Sequence, residues 1–103
     1  MSDWYLYMVR CDDGSLYTGV STDVARRFRE HQRGGARTAR YLRTRKPVGM
    51  IFTQCVGDRS AALVAEHAIK RLDKPQKEAL AAGVMPLRHV LAQYAMRRGQ
   101  RRS

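Results

Sequence analysis

The sequence predicts an α/β chain of the α+β type, a small three-stranded and mainly antiparallel sheet flanked by helices. Three observations carry that prediction. An aromatic-apolar run at residues 4–10 is answered, after the turn signal Asp12-Asp13-Gly14, by a second strand-like run from Ser15 to Val20. Two segments, near residues 24–33 and 60–72, repeat their apolar residues at helical spacing. Between them, Met50 to Val56 reads as a third strand. The resulting order, ββα…βαα, is that of a mixed sandwich around one sheet. With 103 residues and 44 % apolar content, the chain suits one compact core.

The elements follow in order. Gly14 can supply the positive φ that closes a three-residue hairpin loop with a bulge. Thr22 or Asp23 can cap a helix running to about Arg33, which Gly34-Gly35 would stop. The basic residues 37–46 form a short helix or an ordered loop, and Pro47 breaks that stretch. Asp58 or Ser60 opens an amphipathic helix to about Asp73, Pro75 a second ending near Gly83, and Pro86 a last one through Met96. Residues 97–103 read as a mobile cationic tail. Residues 1–83 are expected to form the main domain and 84–103 a helical extension with that tail. The N-terminal Met1-Ser2-Asp3-Trp4 predicts no secretory leader, and no apolar run approaches the roughly 20 residues of a membrane span. Cys11 and Cys55 match no metal or redox spacing, so they read as thiols of a reducing, cytoplasmic compartment.

The hairpin fixes which side chains can meet. With Cys11 opposite Ser15, Tyr7 faces Gly19 and Val9 faces Tyr17, which makes Tyr7 and Tyr17 diagonal neighbours on one face. A two-residue loop would shift the register and separate them. Gly19 leaves space beside Tyr7. Taken alone, both tyrosines are ordinary strand residues. On the first helix, Val24, Arg27, Phe28 and His31 share one side, and Arg26, Arg29 and Arg33 the other. Arg27 can snorkel there and His31 can pack at the core edge. On the third helix, Ala61, Ala62, Ala65, Ala68, Ile69 and Leu72 form the apolar face, Glu66 stands at its margin, and His67 and Arg71 point away. A carboxylate there can hold a divalent metal; the plainer reading is an i,i+4 pair with Lys70.

Charge narrows the partners. Twenty Lys and Arg against nine Asp and Glu give a formal +11, and sixteen of the cations are Arg, whose planar fork matches phosphate. Nine cations fall within residues 26–46 against the single acid Glu30. Apart from Arg27, these are Arg26, Arg29, Arg33, Arg37, Arg40, Arg43, Arg45 and Lys46, the expected track for a nucleic-acid backbone.

The string Tyr5-Leu6-Tyr7, then Tyr17-Thr18-Gly19, then Arg27 and His31 on the next helix, then Glu66 on a later one resembles the GIY-YIG nuclease family. Trp4-Tyr5-Leu6-Tyr7 and Gly57-Asp58-Arg59-Ser60 resemble its short, single-domain bacterial members, over roughly residues 3–82. The resemblance implies the GIY-YIG fold and a metal-dependent endonuclease acting on DNA, with RNA not excluded. It aligns Tyr17 with the tyrosine that helps deprotonate the attacking water, and Tyr7 with one that orients water or phosphate and is the rival candidate for base. It aligns Arg27 with the arginine that neutralises the scissile phosphate, and His31 with a histidine that relays a proton or holds a tyrosine. Glu66 aligns with the lone carboxylate ligand of one Mg²⁺ or Mn²⁺. Arg27 and the positive field would have to lower a tyrosine pKa for it to act as base. Tyr5-Leu6-Tyr7 departs from Gly-Ile-Tyr, Thr18 stands where Ile is usual, and the chain has no Asn for the position many members place after the glutamate. Gln76 is the substitute by type.

The expected function is therefore structure-preferring DNA cleavage in repair or recombination, since 103 residues leave no space for a site-choosing domain. A non-catalytic nucleic-acid-binding module with the same fold is the alternative. A small basic protein on RNA or ribosomal surfaces rests on charge alone.

Overall fold

The computed structural model describes residues 3–34 and 39–101, excepting the side chains of 99–101. The elements are β1 (Trp4–Cys11), β2 (Leu16–Ser21), α1 (Val24–Arg33), α2 (Arg40–Arg43), β3 (Pro47–Gly57), α3 (Arg59–Lys70), α4 (Lys74–Ala81) and α5 (Leu87–Arg101). The three strands form one antiparallel sheet in the order β2-β1-β3.

The hairpin has the expected register, with Tyr7 facing Gly19 and Val9 facing Tyr17. Its loop closes through Gly14 N–H to the Cys11 carbonyl and Cys11 N–H to the Ser15 carbonyl, each 2.9 Å. Gly14 adopts φ +84°, a left-handed conformation that glycine enters without steric cost. The Arg10 guanidinium donates to the Gly14 carbonyl at 3.0 Å and forks onto Glu78 of α4 at 2.5 and 2.6 Å. The turn is thus tied to α4 through a contact that spans 68 residues of chain.

Leu6, Tyr7, Met8 and Val9 are all buried in the central strand. Because alternate residues point to opposite faces, four consecutive buried positions require cover on both sides of the sheet. On one side, Leu6 and Met8 pack with Ala65, Ala68 and Ile69 of α3, Leu80 of α4, and Leu87 and Val90 of α5. On the other, α1 approaches β2 and β3 and delivers His31 to Tyr7.

Caps account for the helix starts. Asp23 accepts from Arg26 N–H at 3.0 Å and Asp58 from Ala61 N–H at 2.8 Å, each satisfying an orphan first-turn donor. Gly34, at φ +74°, ends α1.

Three expectations need correction. Ala61 is exposed, so the buried stripe of α3 is Ala62, Ala65, Ala68 and Ile69. The third strand begins at Pro47 instead of after it. Proline is tolerated as the first residue of an edge strand, where its missing N–H breaks no ladder. Finally, α5 continues to Arg101, so residues 97–101 are helical and not a loose tail. Ala95, Met96, Arg97 and Arg98 are good helix formers, and Gly99 lowers stability by only about 1 kcal/mol without breaking the helix.

Candidate active site

Five side chains predicted from the sequence come from four elements: Tyr7 from β1, Tyr17 from β2, Arg27 and His31 from α1, and Glu66 from α3. The Tyr7 hydroxyl meets His31 Nε2 at 2.9 Å. The Tyr7 and Tyr17 rings lie 6.3 Å apart, and Tyr17 meets the His31 ring edge-on at 5.5 Å. α3 packs against β2, β1 and β3, and Glu66 on the margin of its stripe lies close enough for its charge to act on both hydroxyls. Arg27 acts on both as well, by charge and, at Tyr7, by a hydrogen bond. It also donates to Glu30 at 3.3 Å.

The two tyrosines share a face as expected but differ in exposure. Tyr7 is 1 % exposed, with its hydroxyl held by His31, whereas Tyr17 is half-buried. Gly19 makes that burial possible. A Cβ at position 19 would stand 2.5 Å from the Tyr7 hydroxyl oxygen and 2.6 Å from Cζ, inside any real contact distance. Thr18, in place of the usual Ile, is buried with its hydroxyl unpartnered among the described residues. An unpaired buried hydroxyl costs about 1–3 kcal/mol.

The lowering that a tyrosine base would require does not occur. Burial raises the pKa of Tyr7, the Tyr17 and Glu66 hydroxyl and carboxylate add to the rise, and Arg27 offsets only part of it. Tyr17 is raised too, first by burial and then by Glu66, against lowering by Arg27 and a hydrogen bond from Tyr7. Low dielectric disfavours the anion more than one guanidinium favours it. The Tyr7 hydroxyl and His31 Nε2 share one hydrogen bond, and Nδ1 of the same ring is buried without a partner among the described residues.

Burial and Arg27 pull His31 from 6.5 down to about 4, so the ring is neutral at physiological pH. The unfolded chain takes up this proton before the folded one does. Stability from this group is therefore complete above about pH 6.5 and is lost as pH falls toward 4. Lowering pH from 7 to 5 is expected to remove about 2 kcal/mol through His31. Urea unfolding of wild type and His31→Gln at both pH values checks this; equal pH dependence in the two proteins would exclude it.

The remaining sequence candidates are dispersed over α1 and the segment after it. Arg26, Arg29 and Arg33 are exposed on the outer side of α1, with Arg26 within 4.0 Å of Asp23 and Glu30. Arg40, Arg43 and Lys46 are exposed, and Arg37 lies outside the described residues. Arg45 is engaged, donating to Asp13 at 3.1 Å and lying 4.0 Å over the Tyr41 ring. Gln76 does not reach the tyrosines. It sits in the first turn of α4, where its side chain and that of Asp73 form a reciprocal capping box.

Tyr41 escaped the sequence reading, although its ring lies 5.9 Å from Tyr17. An aromatic residue inside a basic run was the available signal.

The chain matches the family model described as the GIY-YIG catalytic domain over residues 3–79. It belongs to the GIY-YIG family. That family is one of nucleases, and all five site residues fall inside the matched span. Similar GIY-YIG relatives include a UPF0213 protein of Cronobacter sakazakii, 52 % identical over 83 residues that cover 81 % of this chain and 85 % of the relative. Another is UPF0213 protein YhbQ of Salmonella typhimurium, 51 % identical over 80 residues covering 78 % of each chain. The solution NMR structure of a UPF0213 protein from Bacillus halodurans has 36 % identity and a TM-score of 0.50, covering 78 % of this chain and 83 % of its own. That of a protein from E. faecalis has 37 % identity and a TM-score of 0.53, covering 80 % and 86 %. This GIY-YIG chain therefore matches short relatives over most of their length. Among its described residues, no helix is long and apolar enough to cross a membrane.

Proposed function

We propose that this chain is a divalent-metal-dependent endonuclease that hydrolyses phosphodiester bonds in DNA, choosing substrate structure over sequence, in repair or recombination. One observation carries the reading. Two tyrosine rings 6.3 Å apart, the histidine that meets both of them, and the arginine and glutamate whose charges act on both hydroxyls come from four separate elements. Backbone binding alone requires no such convergence.

The roles follow from position. Arg27 is placed to neutralise non-bridging phosphate oxygens, where charge develops in the transition state. Tyr17, the more exposed hydroxyl, faces the attacking water, and Tyr7 steadies it while His31 steadies Tyr7. At neutral pH Tyr17 keeps its proton, so it orients the water by hydrogen bonding unless added positive charge offsets burial.

Glu66 fits a small hard cation. Its carboxylate is partly exposed and acts by charge on both hydroxyls, and it stands as a single carboxylate, outside any group of three His, Cys, Asp or Glu among the described residues. Mg²⁺ is commonly held in just this way, by one or two carboxylates with waters and substrate phosphate completing the shell. A divalent cation on Glu66 would supply Lewis-acid stabilisation to the departing oxygen.

A binding module without catalysis is favoured by one observation, the ion pair of Glu66 with Lys70 at 3.5 Å. Exposed pairs of this kind contribute only a few tenths of a kcal/mol, too little to withhold the carboxylate from a divalent ion. The deciding experiment is incubation of supercoiled plasmid, then of labelled duplex, flap, fork, junction, single-stranded DNA and RNA, with Mg²⁺ or Mn²⁺. Nicking with preference for a discontinuous DNA structure is expected. Metal-independent binding with no nicked product would favour the module.

A further inference from the structure

Beyond the five site residues, a second constellation leads from Tyr17 to the surface. Tyr41 of α2 lies against Tyr17 at 5.9 Å with only a 32° tilt. Over the Tyr41 ring, the Arg45 guanidinium carbon stands 4.0 Å from the centroid. Arg45 Nε donates to Asp13 Oδ2 at 3.1 Å, and Nη1 to the Tyr41 carbonyl at 3.4 Å. Two partners along its edge and a ring beneath it hold the guanidinium plane in place. Yet 38 % of the side chain remains exposed. An open cavity of about 590 Å³ lies here, lined by Arg40, Tyr41, Arg43, Thr44 and Arg45.

An arginine with two of its nitrogens engaged is a weak phosphate clamp. Its delocalised plane, however, remains a surface on which a nucleobase can stack. We propose that Tyr41 and Arg45 form a stacking platform for one unpaired nucleobase beside the phosphate bound at Tyr17. The substrate class is therefore nucleic acid with an unstacked nucleotide next to the cleaved bond, such as a single strand, flap or gap. A base inside a continuous duplex has both faces covered by its neighbours and cannot use the platform. The inference rests on the nuclease reading for the placement of the phosphate, but stacking itself requires no hydrolysis.

The test is binding in EDTA of an oligonucleotide carrying 2-aminopurine, as a single strand and within a full duplex. Wild type is expected to bind the single strand and change the 2-aminopurine fluorescence. Arg45→Lys keeps the charge and loses the plane, so its single-strand affinity falls about tenfold or more, well beyond any loss on duplex, and the fluorescence change disappears. Tyr41→Leu should do the same, with its thermal midpoint measured alongside to separate stacking from folding. Arg45→Lys matching wild type in single-strand affinity and fluorescence overturns the platform, as does failure of wild type to bind the single strand. Stacking without any nicking of plasmid in Mg²⁺ or Mn²⁺ would leave the platform standing and retire the nuclease reading.

Discussion

Glu66→Gln is expected to yield a protein that holds DNA and does not cut it. The change removes one negative charge and leaves a side chain of the same size on the margin of α3. Because the side chain is only part-buried and its partner is the exposed Lys70, folding should be almost unaffected. Charge at the site shifts in two ways. The repulsion between carboxylate and phosphate vanishes, and Lys70 is released as an additional cation, so affinity should hold or rise. Cleavage loses the ligand for the divalent ion and with it several kcal/mol of transition-state stabilisation, about a thousandfold or more in rate. Parallel nicking and filter-binding assays check both halves. Cleavage by Glu66→Gln at the wild-type rate would remove Glu66 from the mechanism.

Gly19→Ala should damage the molecule far more than one methyl group normally does. The new Cβ would stand 2.5 Å from the Tyr7 hydroxyl, and Tyr7 has nowhere to retreat because it is 1 % exposed and joined to His31. Moving the ring overpacks the site and leaves the His31 Nε2 without its partner. Overpacking and a lost buried hydrogen bond together cost about 2–4 kcal/mol. For a chain of this size the thermal midpoint should fall by roughly 10–20 °C. Shrinking the obstacle should restore part of the loss, so the double variant Gly19→Ala with Tyr7→Leu should melt above Gly19→Ala alone. A single variant as stable as wild type would mean that Tyr7 is not held as described.

The hairpin and the first helix were the legible parts of the site, and for a local reason. Asp12-Asp13-Gly14 sets the loop, the loop sets the register, and strand alternation then places Tyr7 beside Tyr17 and opposite Gly19 without any knowledge of the rest of the fold. The same holds for Arg27 and His31, whose shared helix side follows from their spacing. Glu66 needed more than spacing. Its position on the margin of α3 was readable, but its approach to the tyrosines depends on how α3 packs on the sheet.

What the sequence did not yield depends on tertiary packing. Tyr41 meets Tyr17 across α1 and the segment that follows it, and no periodicity links positions 17 and 41. The sign of the tyrosine pKa shifts is hidden in the sequence for a similar reason. The excess of arginine is visible in the composition, whereas the burial that outweighs Arg27 appears only once α1 covers the hairpin.

The irregular pairing of β3 bears on behaviour at high concentration. Its ladder with β1 skips Val48, Ile51 and Val56, so the longest regular stretch, from Phe52 to Cys55, is four residues. β3 is an edge strand of the sheet, and an edge of eleven residues carrying Ile51, Phe52 and Val56 would otherwise invite another chain to add on. Each skipped residue bends and twists the strand, breaking the straight row of amides and carbonyls that an incoming strand must match. With a formal charge of +11 repelling every second copy as well, the molecule resists strand-by-strand polymerisation while keeping an apolar edge close to its core.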